Sequence, residues 1–240
     1  MEVEVYRRMG EMEECHWWFV ARRRILEHLI ASLKLPSPCR ILDIGCGTGG
    51  NLPMLCRFGE VLGMDMSDIA LQRAQQRGVC PVVRGSLPWS MPETPLFDLV
   101  TLLDIVEHVD DDRAALASAG DRLAQGGYVL ITVPAFPFLW GGHDVRHHHK
   151  RRYRRTGLVN LVRQAGLQPV YASYYNFWLF PLIAAFRALK NVLSISGSDD
   201  ERHLPAWLNG LLGAVFSSER HLLGKVRLPM GLSLVVIARK

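Results

Sequence analysis

Between residues 17 and 33 the apolar side chains Trp18, Ala21, Ile25, Leu29 and Leu33 recur at steps of three and four, with Arg22, Arg23 and Arg24 between them. That spacing predicts a helix with one apolar face, ended by Pro36 and Pro38. The pattern then changes. CRILDIG is apolar on both faces, as a central parallel strand is, and a helix over residues 51–58 follows its glycines. EVLGMDMS, VCPVVRG, LFDLVTLLD and GGYVLITVP read as further strands. Helices over 69–77 and from Asp110-Asp111-Asp112 to residue 124 separate them, the aspartates serving as N-cap and helix-dipole complement. A helix over 156–165, stopped by Gly166, precedes LQPVYASYY and a final strand LSLVVIARK. Strand and helix alternating at this interval predict an α/β fold, a parallel sheet with helices on both faces.

No repeat or low-complexity linker divides the chain, so residues 1–240 read as one domain. Within it, 1–35 is a helical lead-in, 36–175 the core, 176–230 an insertion and 231–240 the final strand. The insertion carries two apolar helical stretches, NFWLFPLIAAFRALKNVL and LPAWLNGLLGAVF, around a polar SGSDDERH link. It is far longer than a hairpin needs. We expect a mobile hydrophobic cover over the acceptor side of the sheet, with a membrane-surface contact or a homodimer face as the alternatives. No apolar run reaches the roughly 18–20 residues of a spanning helix.

At 240 residues, 49% hydrophobic and 21% charged, the chain can bury a sizeable core and is no disordered segment. The opening residues MEVEVYRRMGEMEE lack the apolar centre of a secretory signal. The five cysteines form no C-x-x-C pair, so the expected setting is the reducing cytoplasm. Charge is uneven: residues 1–120 hold 12 basic and 17 acidic side chains, residues 121–240 hold 16 and 6. Much of the excess lies in HDVRHHHKRRYRR at 143–155, a run suited to an anionic partner or to a solvated face. The adjacent His147, His148 and His149 point different ways along the chain, with no Cys or Glu at ligand spacing; no metal is expected.

The chemistry concentrates in ILDIGCGTGG at 41–50. Gly45, Gly47 and Gly50 satisfy the dinucleotide pattern G-x-G-x-x-G, a weak signal alone. Asp43, two residues before Gly45, would repel a pyrophosphate and suits a cationic ammonium, while amides at the helix start suit a carboxylate. Asp65 closes the second strand, where a carboxylate accepts ribose hydroxyls. A ribose joined to an amino acid describes S-adenosylmethionine.

ILDIGCGTG, the acidic end of strand two, FDLVTLLDIVEH and LAQGGYVLITVP together resemble the class I S-adenosylmethionine-dependent methyltransferases over residues 40–134. HWWFVARRRIL at 16–26 and HDVRHHHKRRYRRTGL at 143–158 resemble a bacterial branch with HWWF-x-x-RR and HD-x4-H-x-RRY segments. The resemblance implies a Rossmann-like sheet of seven strands, the last antiparallel. It places Asp43, Gly45, Cys46, Gly47 and Gly49 around the methionine part of the cofactor and Asp65 on its ribose. Met66, Gly85 and Ser86 fall beside its adenine and Asp104 towards its sulfonium. Catalytic candidates are His143 with Asp144, then His149 and Tyr153. Trp17, Trp18, His108, Arg151 and Arg152 are candidates for holding the acceptor.

His143 is the expected general base, since an imidazole titrates near pH 6.5 and residues after strand five overlie the ligand end of the sheet. The expected reaction is in-line methyl transfer to a small amphiphilic or anionic acceptor, with O-methylation favoured. S-adenosylhomocysteine is the expected by-product. A nucleic-acid methyltransferase is disfavoured because LLDIVEH replaces an Asn-Pro-Pro-Tyr-type segment. A catalytically silent partner subunit would be expected to break the glycine loop or lose Asp65, and both are intact.

Overall fold

A computed structural model describes residues 10–91, 96–185 and 204–240. A helix α1 (Trp17–Ala31) leads into β1 (Arg40–Ile44), a short α2 (Leu52–Leu55) and β2 (Glu60–Asp65). Next come α3 (Asp68–Gln76), β3 (Val82–Arg84), β4 (Phe97–Leu103), α4 (Asp112–Asp121) and β5 (Leu123–Pro134). The chain continues through α5 (Gly142–Arg146), α6 (Arg155–Gln164), β6 (Gln168–Tyr175), α7 (Ala206–Ser218) and β7 (Ser233–Arg239). The strands form one sheet in the order β3-β2-β1-β4-β5-β7-β6. β7 runs antiparallel to both neighbours, and the other pairs are parallel.

Alternation along each strand sends successive side chains to opposite layers. Ile41, Leu99, Leu130 and Val235 meet Ile25 and Leu29 of α1, Leu52 of α2 and Phe216 of α7 on one face. Leu42, Val100, Val129 and Val236 meet Leu116 of α4 and Leu158 and Val162 of α6 on the other. The parallel strands therefore end together at one edge, with the order reversing between β1 and β4. In such sheets ligands bind outside the carboxyl ends at that reversal.

The described parts of 176–230 differ from a detachable cover. Phe216 of α7 is fully buried, 5.9 Å from the Trp17 ring and stacked 6.0 Å from Tyr175. Asn209 joins α7 to the start of α1, accepting from the Trp17 amide at 2.8 Å and donating to Cys15 O at 2.9 Å. The fully buried Glu219 accepts from the amides of Asn176, Phe177 and Trp178. Burial pushes its carboxyl up to about 7, against those three bonds. Part of the first apolar stretch and the polar link lie outside the described residues. Trp178, Leu182, Trp207 and Leu211 are exposed, and no described helix is long and apolar enough to cross a membrane.

Candidate active site

The glycine loop turns straight off β1. Gly45 (φ +74°), Gly47 (φ +57°) and Gly49 (φ +85°) adopt left-handed backbone that favours glycine. The amides of Gly45 and Cys46 donate to Met64 O of β2, folding the loop back on the sheet. A Cβ at Gly45 would lie 2.1 Å from Ile105 Cδ1, whereas one at Gly47 would meet nothing within 4 Å among the described residues. Asp65 at the end of β2 accepts from Gly47 N and from Ser67 N, each at 2.9 Å. Its carboxylate thus ties the loop to the sheet edge.

Asp43 is buried under the loop. Thr101 Oγ1 of β4 donates to its Oδ1 at 2.5 Å, while its Oδ2 has no partner among the described residues. Burial, with some help from Asp65, raises its carboxyl to about 7 against the opposing pull of Thr101 and Arg22. An orphaned carboxylate oxygen beside a glycine ledge with open space fits a ligand carrying an ammonium group.

Arg22 of α1 forms the far wall. Its Nη2 lies 2.7 Å from Asp104 Oδ2 and donates to Thr132 Oγ1 at 2.9 Å; Thr132 Oγ1 in turn lies 3.0 Å from Asp104 Oδ1. Asp104, just past β4, has φ +61°. Arg22 also stands over the Trp18 ring, 5.1 Å from its centre. Its position was readable, because residues 18, 22, 25 and 29 share one helix face and a guanidinium interrupts that apolar stripe. Residues 10–16 close over the loop from the same side. Glu13 packs on Gly50, and Arg77 joins Glu13, Glu14 and Thr48 O.

Beyond Asp104 the chain enters a short 3₁₀ turn, Val106–His108. Glu107 is fully buried with neither carboxyl oxygen partnered among the described residues, and burial, then Asp104, raises its carboxyl well above the usual range. Burial, then His149, pushes His108 down to about 4. The His149 ring meets that of His108 edge-on at 4.8 Å. One ligand-type atom from each of Glu107, His108 and His149 lies within 4.8 Å of the others. The along-chain argument about His147–His149 did not foresee this grouping, because Glu107 and His108 come from another segment.

Asp144 organises the basic run. It accepts from Gly141 N at 2.9 Å and Arg152 Nε at 2.7 Å, and His149 Nδ1 lies 2.9 Å from its Oδ1. Burial opposes its charge, but His149 and Arg152 hold the carboxyl well below the usual range. Asp144 is thus paired with His149; the ring of His143 lies 4.2 Å from that of His147 and 5.8 Å from that of His149.

The expected anion-holding arginines are committed elsewhere. Arg152 is buried on Asp144 and Ala135 O, and Arg151 pairs with Asp112 at 3.0 Å and donates to Asp110 O. Tyr153 is likewise structural: its hydroxyl donates to Asp112 Oδ2 at 2.9 Å, and burial, then Asp112, keeps it protonated. Trp17 packs against α7 and Trp18 against Arg22 and Phe19, as helix-packing residues. Cys46 is buried under Gly63. Met66 is exposed beside Asp65, and Gly85 N donates to Asp65 O. The backbones of Ser86 and Ser90 bond each other in both directions.

The model of a methyltransferase domain family matches residues 19–172. The chain belongs to that family. This S-adenosylmethionine-dependent methyltransferase is similar to a ubiquinone biosynthesis O-methyltransferase of Dinoroseobacter shibae, 29% identical over 71% of this chain and 79% of the relative. It is also 30% identical to the mitochondrial ubiquinone biosynthesis O-methyltransferase of Candida albicans, over 40% of this chain and only 32% of that protein. Among solved structures, the methyltransferase in complex with the Haloferax volcanii Trm112 activator superposes with a TM-score of 0.62 at 17% identity, covering 98% and 94% of the two chains. The Haemonchus contortus phosphoethanolamine N-methyltransferase 2, solved with S-adenosylmethionine, has a TM-score of 0.60 at 18% identity, covering 90% and 52%. These two likenesses concern the fold. Asp43, the Gly45–Gly49 loop and Asp65 form the ledge that suits the cofactor.

Proposed function

We propose that the methyltransferase O-methylates a small, amphiphilic acceptor. S-Adenosylmethionine supplies an activated methyl group, so the protein's task is alignment and removal of a proton from the acceptor. Asp43 would hold the ammonium, the loop amides the carboxylate and Asp65 the ribose. Glu107, His108, Asp104 and His149 gather past the end of β4, beside that ledge, where an acceptor would meet the cofactor. The observation that carries the reading is this gathering of groups able to exchange a proton, past the carboxyl end of β4, where ligands bind in sheets of this order. The relatives named ubiquinone biosynthesis O-methyltransferases support oxygen as the acceptor atom.

The test is transfer of a labelled methyl group from S-adenosylmethionine into a metabolite extract. The reading expects label in an organic-soluble product whose methyl group survives mild alkali, as an ether does and an ester does not. Label confined to protein or nucleic acid would overturn it.

A further inference from the structure

We propose that Arg77 is a positioning residue for the cofactor: it clamps the glycine loop to the N-terminal residues 10–14, so that Glu13 sets through Arg77 how tightly the cofactor is held. The proposal is independent of which acceptor is methylated. Gly45, Gly47 and Gly49 let the loop turn sharply, and glycine backbone also has the most freedom to lose when a ligand orders it. A loop already fixed in shape binds with less of that loss. Two side chains of opposite charge do the fixing. Asp65 accepts from Gly47 N at 2.9 Å, and Arg77 Nε donates to Thr48 O at 2.7 Å. The two flank α3, Asp65 ahead of its N-cap Ser67 and Arg77 at its C-cap. The ends of one helix thus hold a donor and an acceptor of adjacent loop residues.

Arg77 is itself held in place. Its Nη2 donates to Glu13 Oε2 at 2.8 Å and its Nη1 to Glu14 Oε1, so one guanidinium joins two carboxylates and a loop carbonyl. Hydrogen bonds between ionised partners are the strong ones. The pair with Glu13 is the sheltered one, with side-chain exposures of 21% and 7%, whereas Glu14 stands open to solvent. Glu13 can lie there because Gly50 has no side chain: a Cβ at Gly50 would come within 2.5 Å of Glu13 Cδ. Gly49 likewise admits Arg77, whose Cδ would be 3.0 Å from a Cβ at that position. The last two glycines of the loop therefore make room for the clamp, and Gly47 is left facing open space among the described residues. The segment is seated by the buried Met12, whose carbonyl accepts from Cys15 N and His16 N.

The experiment measures binding of S-adenosylhomocysteine by calorimetry and its release by stopped flow. This probe lacks the sulfonium charge that salt would itself screen. Wild type, Glu13→Gln, Arg77→Met, Arg77→Lys and the double variant Glu13→Gln/Arg77→Met are compared, each checked for folding by circular dichroism. Arg77→Met should weaken binding roughly 10-fold, the scale of one hydrogen bond to a charged group. Arg77→Lys, which keeps the charge but not the forked geometry, should fall between it and wild type. Glu13→Gln, which keeps its volume, should weaken binding too, but should add little once Arg77 is gone, as expected of residues acting through one contact. Raising salt from about 0.05 to 0.5 M should speed release from wild type and leave Arg77→Met unmoved, because salt screens a pair partly open to solvent. Unchanged binding in a folded Arg77→Met, losses that multiply in the double variant, or a salt response that survives Arg77→Met would each overturn the proposal. If Arg77→Met does not fold, Glu13→Gln decides: wild-type binding with a wild-type salt response would overturn it as well.

Discussion

Arg22 reaches from the first long helix to Asp104 past the end of β4, with 2.7 Å between guanidinium and carboxylate. The N-terminal helix is therefore a wall of the active site as well as a layer of the core. Arg22→Met would leave Asp104, about a quarter exposed, with the Thr132 hydroxyl but without its charged partner. We expect a stability loss of about 3 kcal/mol, the low end for breaking a buried pair, with weakened cofactor binding. Denaturant unfolding of the two proteins checks this; equal midpoints would show that the pair is not structural.

Asp43 makes the ligand-free protein sensitive to pH. Its carboxyl lies near 7 in the fold against about 3.9 in an unfolded chain. Between those values the native state holds a proton that the unfolded state has lost, so this contribution to stability declines as pH rises from about 4 to 7. Asp43→Asn removes that decline, a difference on the order of 4 kcal/mol at pH 8. Melting both proteins at pH 5 and pH 8 measures it. The same proton opposes a cationic ligand, so wild-type affinity for S-adenosylmethionine should fall as pH drops below about 7.

Alanine at two loop glycines should act differently. At Gly45 the new methyl collides with Ile105 and the backbone is left-handed, so Gly45→Ala should lose both stability and cofactor binding. Gly47→Ala meets no atom of the described residues within 4 Å and carries the backbone cost of about 1–2 kcal/mol. It should stay folded while cofactor affinity drops, as seen by circular dichroism and calorimetry. Unchanged affinity in Gly47→Ala would place the cofactor away from the loop.

Phe216 tests whether α7 belongs to the core. Phe216→Ala should cost about 3–5 kcal/mol, because the ring is fully buried between Trp17 and Tyr175. A loss below about 1 kcal/mol, read from denaturant midpoints, would return α7 to the role of a removable cover.

The sheet was legible because buried parallel strands write themselves as continuous apolar runs; β2 ends on Asp65, and β1 and β4 are followed at once by Gly45 and Asp104, where the site begins. The second helix was overestimated, ending at Leu55 where 51–58 was expected. The chemistry of residues 143–155 was harder to read, because Arg151, Arg152 and Lys150 find their partners in Asp112, Asp144 and Asp110. Two of these come from a distant segment, and spacing along the chain carries no trace of that. For the same reason the sequence pointed to His143, whereas folding brings His149 to Asp144. α7 looked like an optional insertion because its apolar residues match a surface that only the folded α1 presents.

The account rests on methyl transfer from S-adenosylmethionine to a small-molecule hydroxyl, and one measurement addresses it directly. Wild type and Asp65→Ala are incubated with methyl-labelled S-adenosylmethionine and a metabolite extract, and the products are separated into small molecules, protein and nucleic acid. The account predicts an alkali-stable labelled small molecule from wild type, with much less from Asp65→Ala, whose loop has lost the anchor at Gly47 N. Tight cofactor binding with no labelled small molecule, or equal labelling by the two proteins, would contradict it.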